Sequence, residues 1–110
     1  LGAALAAVRP GALACDVANA WNSVICRAGI EKPSRIGYSV GIGYPPDWGE
    51  RTVSLIATDT TPLQENMVLH LMLGLWGRDS GYELSETFVI EPSGPSCLSR
   101  IDRALAVKPD

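Results

Sequence analysis

Two residues that could do chemistry, one imidazole and one carboxylate, interrupt strongly apolar stretches. His70 lies in the run 67–76, which is almost wholly apolar, and Glu86 lies in the alternating run 81–90. Burying an unpaired carboxylate is costly, so Glu86 requires a partner, a ligand or a proton. A histidine beside a carboxylate in a cavity is a common arrangement for general acid–base catalysis.

The arrangement of these two residues depends on the hairpin that the two runs are predicted to form around the loop 77–80. If Trp76 lies opposite residue 80 or residue 82, His70 and Glu86 share one face of the sheet, while a slip of one residue separates them. We predict that they share a face and are catalytic. Glu83 falls on the other face, where we expect it to be solvated.

Each of these two residues also has a structural interpretation that the sequence leaves open. A lone histidine on an apolar strand is often a hydrogen-bonded core residue. Glu86 could form a buried salt bridge with Arg100 or Arg103. The sequence contains one histidine and no paired cysteines, so it predicts no metal cluster.

The surrounding elements are predicted from apolar spacing and from breaking residues. An apolar stripe predicts a helix at 13–28, which ends at Gly29. The stretch 30–51 is rich in glycine and aromatic residues and is expected to be irregular, followed by a short strand at 52–56. The residues 97–110 are expected to add one short strand, and 1–8 resembles the tail of a helix. The fold class is therefore α+β.

The composition limits the possible partners and the compartment. The 110 residues carry a net charge of −3, and 46% of them are hydrophobic. This indicates a globular domain, and it disfavours nucleic acid and membrane as main partners because both require basic patches. Three cysteines, Cys15, Cys26 and Cys97, are expected to be reduced, buried thiols in a cytoplasmic protein.

Three ordered motifs resemble the creatinase and aminopeptidase P family, which has the pita-bread fold. They are RIGYSVGIGYPPDWGE at 35–50, LQENMVLH at 63–70 and GYELSET at 81–87. The resemblance covers essentially the whole chain. It implies that 1–110 is a partial C-terminal catalytic domain that lacks the upstream half, with helices packed on a curved antiparallel sheet. A fragment of this kind is expected to be inactive alone.

The resemblance also implies a metal-ligand pattern from which this chain departs. Metal-dependent members bind two divalent ions through two aspartates, one histidine and two glutamates. Tyr38 stands at the histidine position and Met72 at the first glutamate position, while Glu86 matches the last glutamate. Both aspartates fall upstream. A phenol and a thioether are poor ligands for hard divalent cations, so the chain is expected to use no metal cofactor.

This departure resembles the metal-free branch that contains creatinase and ectoine hydrolase. The resemblance implies a hydrolase that opens C–N bonds in a small molecule, and a cyclic amidine is the leading substrate class. It also implies a carboxylate nucleophile upstream of this chain. Aromatic rings suit a delocalised cation. The expected substrate-binding walls are Tyr38, Trp48, Trp76 and Tyr82.

Two other functions remain open from the sequence. One is a dinuclear-metal Xaa-Pro aminopeptidase or dipeptidase, in which Glu86 is a metal ligand. The other is a non-catalytic pita-bread binding module. By resemblance, the full-length protein is expected to be a homodimer with a small-molecule substrate.

Overall fold

The structure is a computed structural model that describes residues 1–46 and 49–109, where five strands form one antiparallel sheet. In chain order the strands are β1 (Gly37–Val40), β2 (Gly49–Ser54), β3 (Val68–Trp76), β4 (Gly81–Glu91) and β5 (Gly94–Cys97). Their order across the sheet is β2-β1-β3-β4-β5. The long β3–β4 hairpin therefore lies at the centre, and its residues are the ones best placed to form a rigid site.

Two helices precede the sheet: α1 (Gly2–Ala7) and α2 (Ala14–Cys26). The first turn of α2 is closed by the Asp16 carboxylate, which accepts a hydrogen bond from the Leu13 N–H at 2.9 Å. Such a contact satisfies one of the N–H groups that a helix leaves unpaired at its start. The helix ends at Cys26, and the chain then turns at Gly29, whose φ is +71°; the Ile30 N–H donates to the Ile25 carbonyl at 3.1 Å.

The buried stripe of α2 does not include every apolar residue of the helix. Val17, Trp21 and Ile25 recur every four residues and are buried, whereas Val24 is 46% exposed. This spacing points one side of the helix towards the sheet. Burying each large apolar side chain in this way contributes about 1.5–3 kcal/mol.

The sheet consequently has two unlike faces. The side chains of Leu69, Leu71 and Phe88 join one core cluster with those of Val17 and Trp21, and we call this side the helix face. The opposite side, which we call the open face, carries His70, Met72, Gly74 and Trp76 of β3, and Glu83, Ser85 and Thr87 of β4. No helix or strand within residues 1–46 and 49–109 is packed over the open face.

Several predicted boundaries require correction. Strand β1 lies inside the stretch that was expected to be irregular, and β2 begins before the predicted strand at 52–56. The last strand, β5, forms before the stretch where it was expected, and the described part of the chain has no strand after Cys97. A turn that contains Pro92, together with Gly94 at φ +123°, brings β5 back along β4. No apolar periodicity in the sequence marks this reversal of the chain, so it was not predicted.

The cysteines are free thiols, as expected, but they are not all buried. Cys26 is exposed at the end of α2, and Cys15 and Cys97 are partly exposed. The expectation of three buried thiols is therefore wrong for this part of the molecule.

Candidate active site

The register of the β3–β4 hairpin decides which side chains can meet. The loop 77–80 has four residues, and the Gly77 N–H donates to the Ser80 carbonyl at 2.8 Å. Trp76 therefore pairs with Gly81, His70 with Thr87 and Leu71 with Glu86. Directly paired residues of antiparallel strands point to the same side. The expectation that His70 and Glu86 share a face is wrong, because it required a loop of three or five residues.

Glu86 lies on the helix face, with its side chain 2% exposed. One carboxylate oxygen, Oε2, accepts hydrogen bonds from Arg103 Nη2 at 2.7 Å and from Arg103 Nε at 3.2 Å. The other oxygen accepts from the Ser99 N–H at 3.3 Å. The Glu86 carboxylate raises the pKa of Arg103 above its ordinary value. The structure thus has the salt bridge that the sequence left open, and its partner is Arg103.

His70 lies on the open face and is partly buried. Its Nδ1 is 2.8 Å from Thr87 Oγ1, so Nε2 is the ring nitrogen that can reach a bound molecule. The Tyr38 ring lies beside it, with ring centroids 5.5 Å apart and planes tilted by 50°. Burial lowers the pKa of His70 below 6.5, while the nearby charges of Glu83 and Glu86 act in the opposite direction. These contacts hold one imidazole orientation and favour its neutral form.

Two polar residues of the open face were not singled out as site residues from the sequence. Ser85 pairs with Met72 and Glu83 pairs with Gly74, so both share the face of His70. The Ser85 hydroxyl donates to Glu83 Oε1 at 2.9 Å. The exposure expected for Glu83 is confirmed, and Glu83 lies on the same face as His70. Counting alternate residues from a four-residue loop would have found both.

Three of the four aromatic residues expected to line the site are described by the structure, and they lie on both faces of the sheet. Tyr38 pairs with His70 on the open face. Trp76 is on the open face and 70% exposed, whereas Tyr82 pairs with Leu75 and projects to the helix side. Trp48 lies outside the described residues. Tyr82 therefore does not share a face with Tyr38 and Trp76, although it lines one cavity with Trp76.

Glycines determine how the Trp76 indole lies on the sheet. A Cβ atom placed on Gly74 would lie 2.8 Å from Trp76 Nε1, and one on Gly81 would lie 2.5 Å from its Cε3. The ring is therefore stretched across both glycines, flat against the open face. This position gives the end of the hairpin an aromatic surface, which a side chain on either glycine would displace.

Two of the cavities beside the hairpin are lined by residues that were predicted to form the site. The predicted aromatic residues Trp76 and Tyr82 line one cavity, and the predicted catalytic residues His70 and Glu86 line the other. One of about 620 Å³ is lined by Trp76, Tyr82 and the segment that includes Lys32. The other, of about 450 Å³, is lined by His70, Ser85 and Thr87 and also reaches Glu86. Because β5 ends at Cys97, opposite Phe88, β4 has no strand neighbour on its β5 side beyond that point within the described residues. We therefore interpret this contact with Glu86 as access from the strand edge, since the pairing register fixes its side chain on the helix face.

The side chains at the expected ligand positions of the open face do not fit a divalent metal. The resemblance placed ligands at Tyr38 and Met72, and the residue paired with Met72 is Ser85. Glu86 is on the other face, so the expectation that it supplies the last ligand has no geometric support. A phenol, a thioether and a hydroxyl are a poor donor set for a hard cation. Within the described ranges, no three histidine, cysteine or acidic side chains form a group that could hold an ion.

The fold and the motifs define a class of protein, and comparison with known families names it. The chain belongs to metallopeptidase family M24, whose family model matches residues 1–92. This confirms the predicted family and the predicted fold, which is part of a pita-bread fold. The class is that of hydrolases and peptidases.

Two relatives illustrate the range of this class. The chain is 48% identical over 108 residues to an uncharacterized hydrolase/peptidase, y4tL, of Sinorhizobium fredii; the match covers 97% of this chain and 27% of that protein. It is 42% identical over 105 residues to an ectoine hydrolase of Halomonas elongata, covering 94% and 26% respectively. The chain therefore spans about a quarter of the length of these relatives.

Solved structures agree with the fold. The dipeptidase PepE of Mycobacterium ulcerans superposes with a TM-score of 0.84 at 24% identity, covering 94% of this chain and 28% of that one. The prolidase of Pyrococcus furiosus gives 0.82 at 23% identity, covering 93% and 30%. Identities at this level establish the fold alone. Among the described residues, no helix is long and apolar enough to cross a membrane.

Proposed function

We propose that the full-length protein containing this chain is a metal-independent hydrolase that opens a C–N bond in a small cyclic amidine such as ectoine. The observation that carries the proposal is the chemistry of two positions on the open face. Tyr38 and Met72 stand at the positions that the resemblance gives to metal ligands. Neither offers an anionic or imidazole donor, although metal-binding members need such donors here. The third expected ligand position holds Glu86, which the strand register places on the helix face.

The proposed reaction consumes one water molecule, breaks one ring C–N bond, and leaves an amide carbonyl and an amine. An amidinium carbon is electron-poor, so an upstream nucleophile of the kind implied by the resemblance can attack it. The breaking bond requires a proton on the leaving nitrogen. We assign this transfer to His70, whose Nε2 faces outward because Thr87 occupies Nδ1. Tyr38 supports the imidazole from the side.

Two residues predicted from the sequence to act in the site, Glu86 and Trp76, have different roles in this proposal. Glu86 supports the fold beneath the site through its salt bridge with Arg103. Its predicted catalytic role stays a prediction, and Glu86 does not share a face with His70. Trp76 stays a proposed wall for the cationic ring. We further propose that residues 1–110 form part of the catalytic domain and that the whole protein is a cytoplasmic homodimer. These proposals are supported by the resemblance and by the acidic composition.

A dinuclear-metal Xaa-Pro peptidase is the second candidate, because the family is a metallopeptidase family and a solved neighbour is a prolidase. The side chains at two of the expected ligand positions, Tyr38 and Met72, oppose it. The test is to purify the full-length protein, measure bound metals by mass spectrometry, and assay ectoine and Xaa-Pro dipeptides before and after treatment with a chelator.

We expect ring opening of ectoine that the chelator does not change, and no dipeptide cleavage. About two bound divalent ions per chain, with dipeptidase activity lost on chelation, would overturn the proposal. Absence of ectoine hydrolysis, with activity on another cyclic amidine or a guanidino compound, would change the substrate while retaining the reaction.

A further inference from the structure

We propose that Glu83, oriented by Ser85, is the carboxylate that receives the positively charged group of the substrate on the open face. This inference rests on the proposed function and deepens it, because it names the residue that selects a cationic ligand. Sequence analysis treated Glu83 as a solvated residue, and the register of the hairpin gives it a different setting.

The first support is position. Glu83, Ser85 and Thr87 alternate along β4 on the open face, next to His70 of β3. Glu83 lies four residues along β4 from Thr87, the partner of His70, so the two backbone positions are about 13 Å apart. Both side chains extend over the open face within this interval, so a small ring that contacts His70 can reach the Glu83 carboxylate. The effect of Glu83 on the pKa of His70 is consistent with this proximity.

The second support is orientation. The Ser85 hydroxyl donates to Glu83 Oε1 at 2.9 Å, which holds one carboxylate oxygen and leaves Oε2 to bind a ligand. Ser85 lies between Glu83 and the His70–Thr87 pair in the strand register. The hydrogen bond therefore draws the carboxylate along the strand in the direction of the imidazole.

The third support is space and charge. The residue paired with Glu83 is Gly74, which has no side chain, and the Trp76 indole lies across that glycine. The carboxylate is thus bordered by an aromatic ring on the side away from His70, and Met72 and Ser85 lie between it and His70. Apart from His70, the open-face positions of β3 and β4 carry no basic side chain, while from the preceding segment Arg35 stacks on the Tyr38 ring at 4.8 Å and Lys32 donates to the Gly74 carbonyl at 2.7 Å. A carboxylate beside an aromatic face suits a flat delocalised cation.

The test uses the full-length protein with Glu83→Gln, and Glu91→Gln as the matched control. Glu91 is an exposed carboxylate on the same face of the same strand, eight residues and about 26 Å from Glu83. Two competitive probes are compared: the methyl-tetrahydropyrimidinium ion, which is a cyclic amidinium, and a neutral cyclic urea of the same ring size.

We expect E83Q to weaken inhibition by the amidinium ion about 10- to 100-fold, as for the loss of a hydrogen bond to a charged group. Inhibition by the neutral urea should stay unchanged, and E91Q should change neither constant. Ser85→Ala should give a smaller loss in the same direction, confined to the amidinium probe, and Ser85→Thr should restore binding.

The outcomes separate this inference from the proposed function. If the wild-type protein hydrolyses cyclic amidines while E83Q weakens both probes equally, or neither, the role of Glu83 is refuted and the proposed function stands. If the wild-type protein neither hydrolyses nor binds any cyclic amidinium, the proposed function fails and the inference fails with it.

Discussion

Two glutamates on one strand, three residues apart, have opposite environments. Glu86 lies on the helix face with its side chain 2% exposed and is held by Arg103. Glu83 lies exposed on the open face, beside Ser85 and near His70. The separation of three residues is odd, so the pleat sends the two side chains to opposite sides of the sheet. The comparison teaches that residue type alone does not determine the environment of a carboxylate on a strand, whereas the face on which it lies does.

The largest expected effect concerns the open face. His70→Ala in the full-length protein should lower kcat by roughly 10²- to 10⁴-fold, the usual contribution of a positioned acid–base group. Thr87→Val should cause a smaller loss, because it frees the imidazole to rotate without removing it. Both are measured by steady-state kinetics.

The thermal midpoints of both variants should stay within a few degrees of that of the wild-type protein, since His70 is outside the core cluster. An H70A variant with full activity would show that the open face is not the catalytic side. The functional difference proposed between Glu83 and Glu86 would then be refuted.

A smaller effect, on stability instead of activity, is expected on the helix face. Arg103→Met leaves the Glu86 carboxylate buried, with the Ser99 N–H as its remaining contact. Removing one partner of a buried pair is more harmful than replacing both by apolar groups. We expect a fall of roughly 5 °C in the apparent Tm for R103M. The double variant that also carries Glu86→Met should have a higher Tm than R103M, because no buried charge is left without a partner.

Arg78→Met, at an exposed position in the hairpin loop, is the matched control and should leave the Tm unchanged. An R103M variant as stable as the wild type, or a double variant less stable than R103M, would remove the role given to the ion pair.

The smallest expected effect is a displacement of the pH profile. Burial lowers the pKa of His70 below 6.5, and the charges of Glu83 and Glu86 partly oppose this effect. If the imidazolium form of His70 in the free enzyme donates the proton, kcat/KM declines as the pH rises through that pKa. Glu83→Gln removes one group that raises the pKa of His70, so this alkaline limb should move to lower pH.

Rates measured from pH 5 to 8 would test this displacement. Movement of the limb to higher pH, with E91Q unchanged, would contradict the placement of Glu83 beside His70.

The helices and the central hairpin could be predicted from the sequence because each carries its own periodic signal. The helix predicted at 13–28 is observed as Ala14–Cys26, and the strand predicted at 67–76 is observed as Val68–Trp76. Apolar spacing along a single segment decides both. Strand β1 lacked a periodic signal because it has only four residues, GYSV, and begins with glycine.

The site could be predicted only in part, because it depends on relations between segments. The importance of His70 follows from its place on an apolar strand, but its neighbours depend on whether the loop holds three, four or five residues. Likewise, the sequence offers both Arg100 and Arg103 to Glu86, and only the path of the chain after Cys97 selects Arg103. Local patterns do not contain that information.

The Trp76 indole, lying across two glycines, also makes the open face optically observable. This ring is 70% exposed, whereas Trp21 is 5% exposed within the core. In a background in which Trp48 is replaced by phenylalanine, acrylamide should quench the emission of Trp76 and leave the emission of Trp21 largely intact. Shielding of the quenchable fraction by a bound ligand would then report occupancy directly, without turnover.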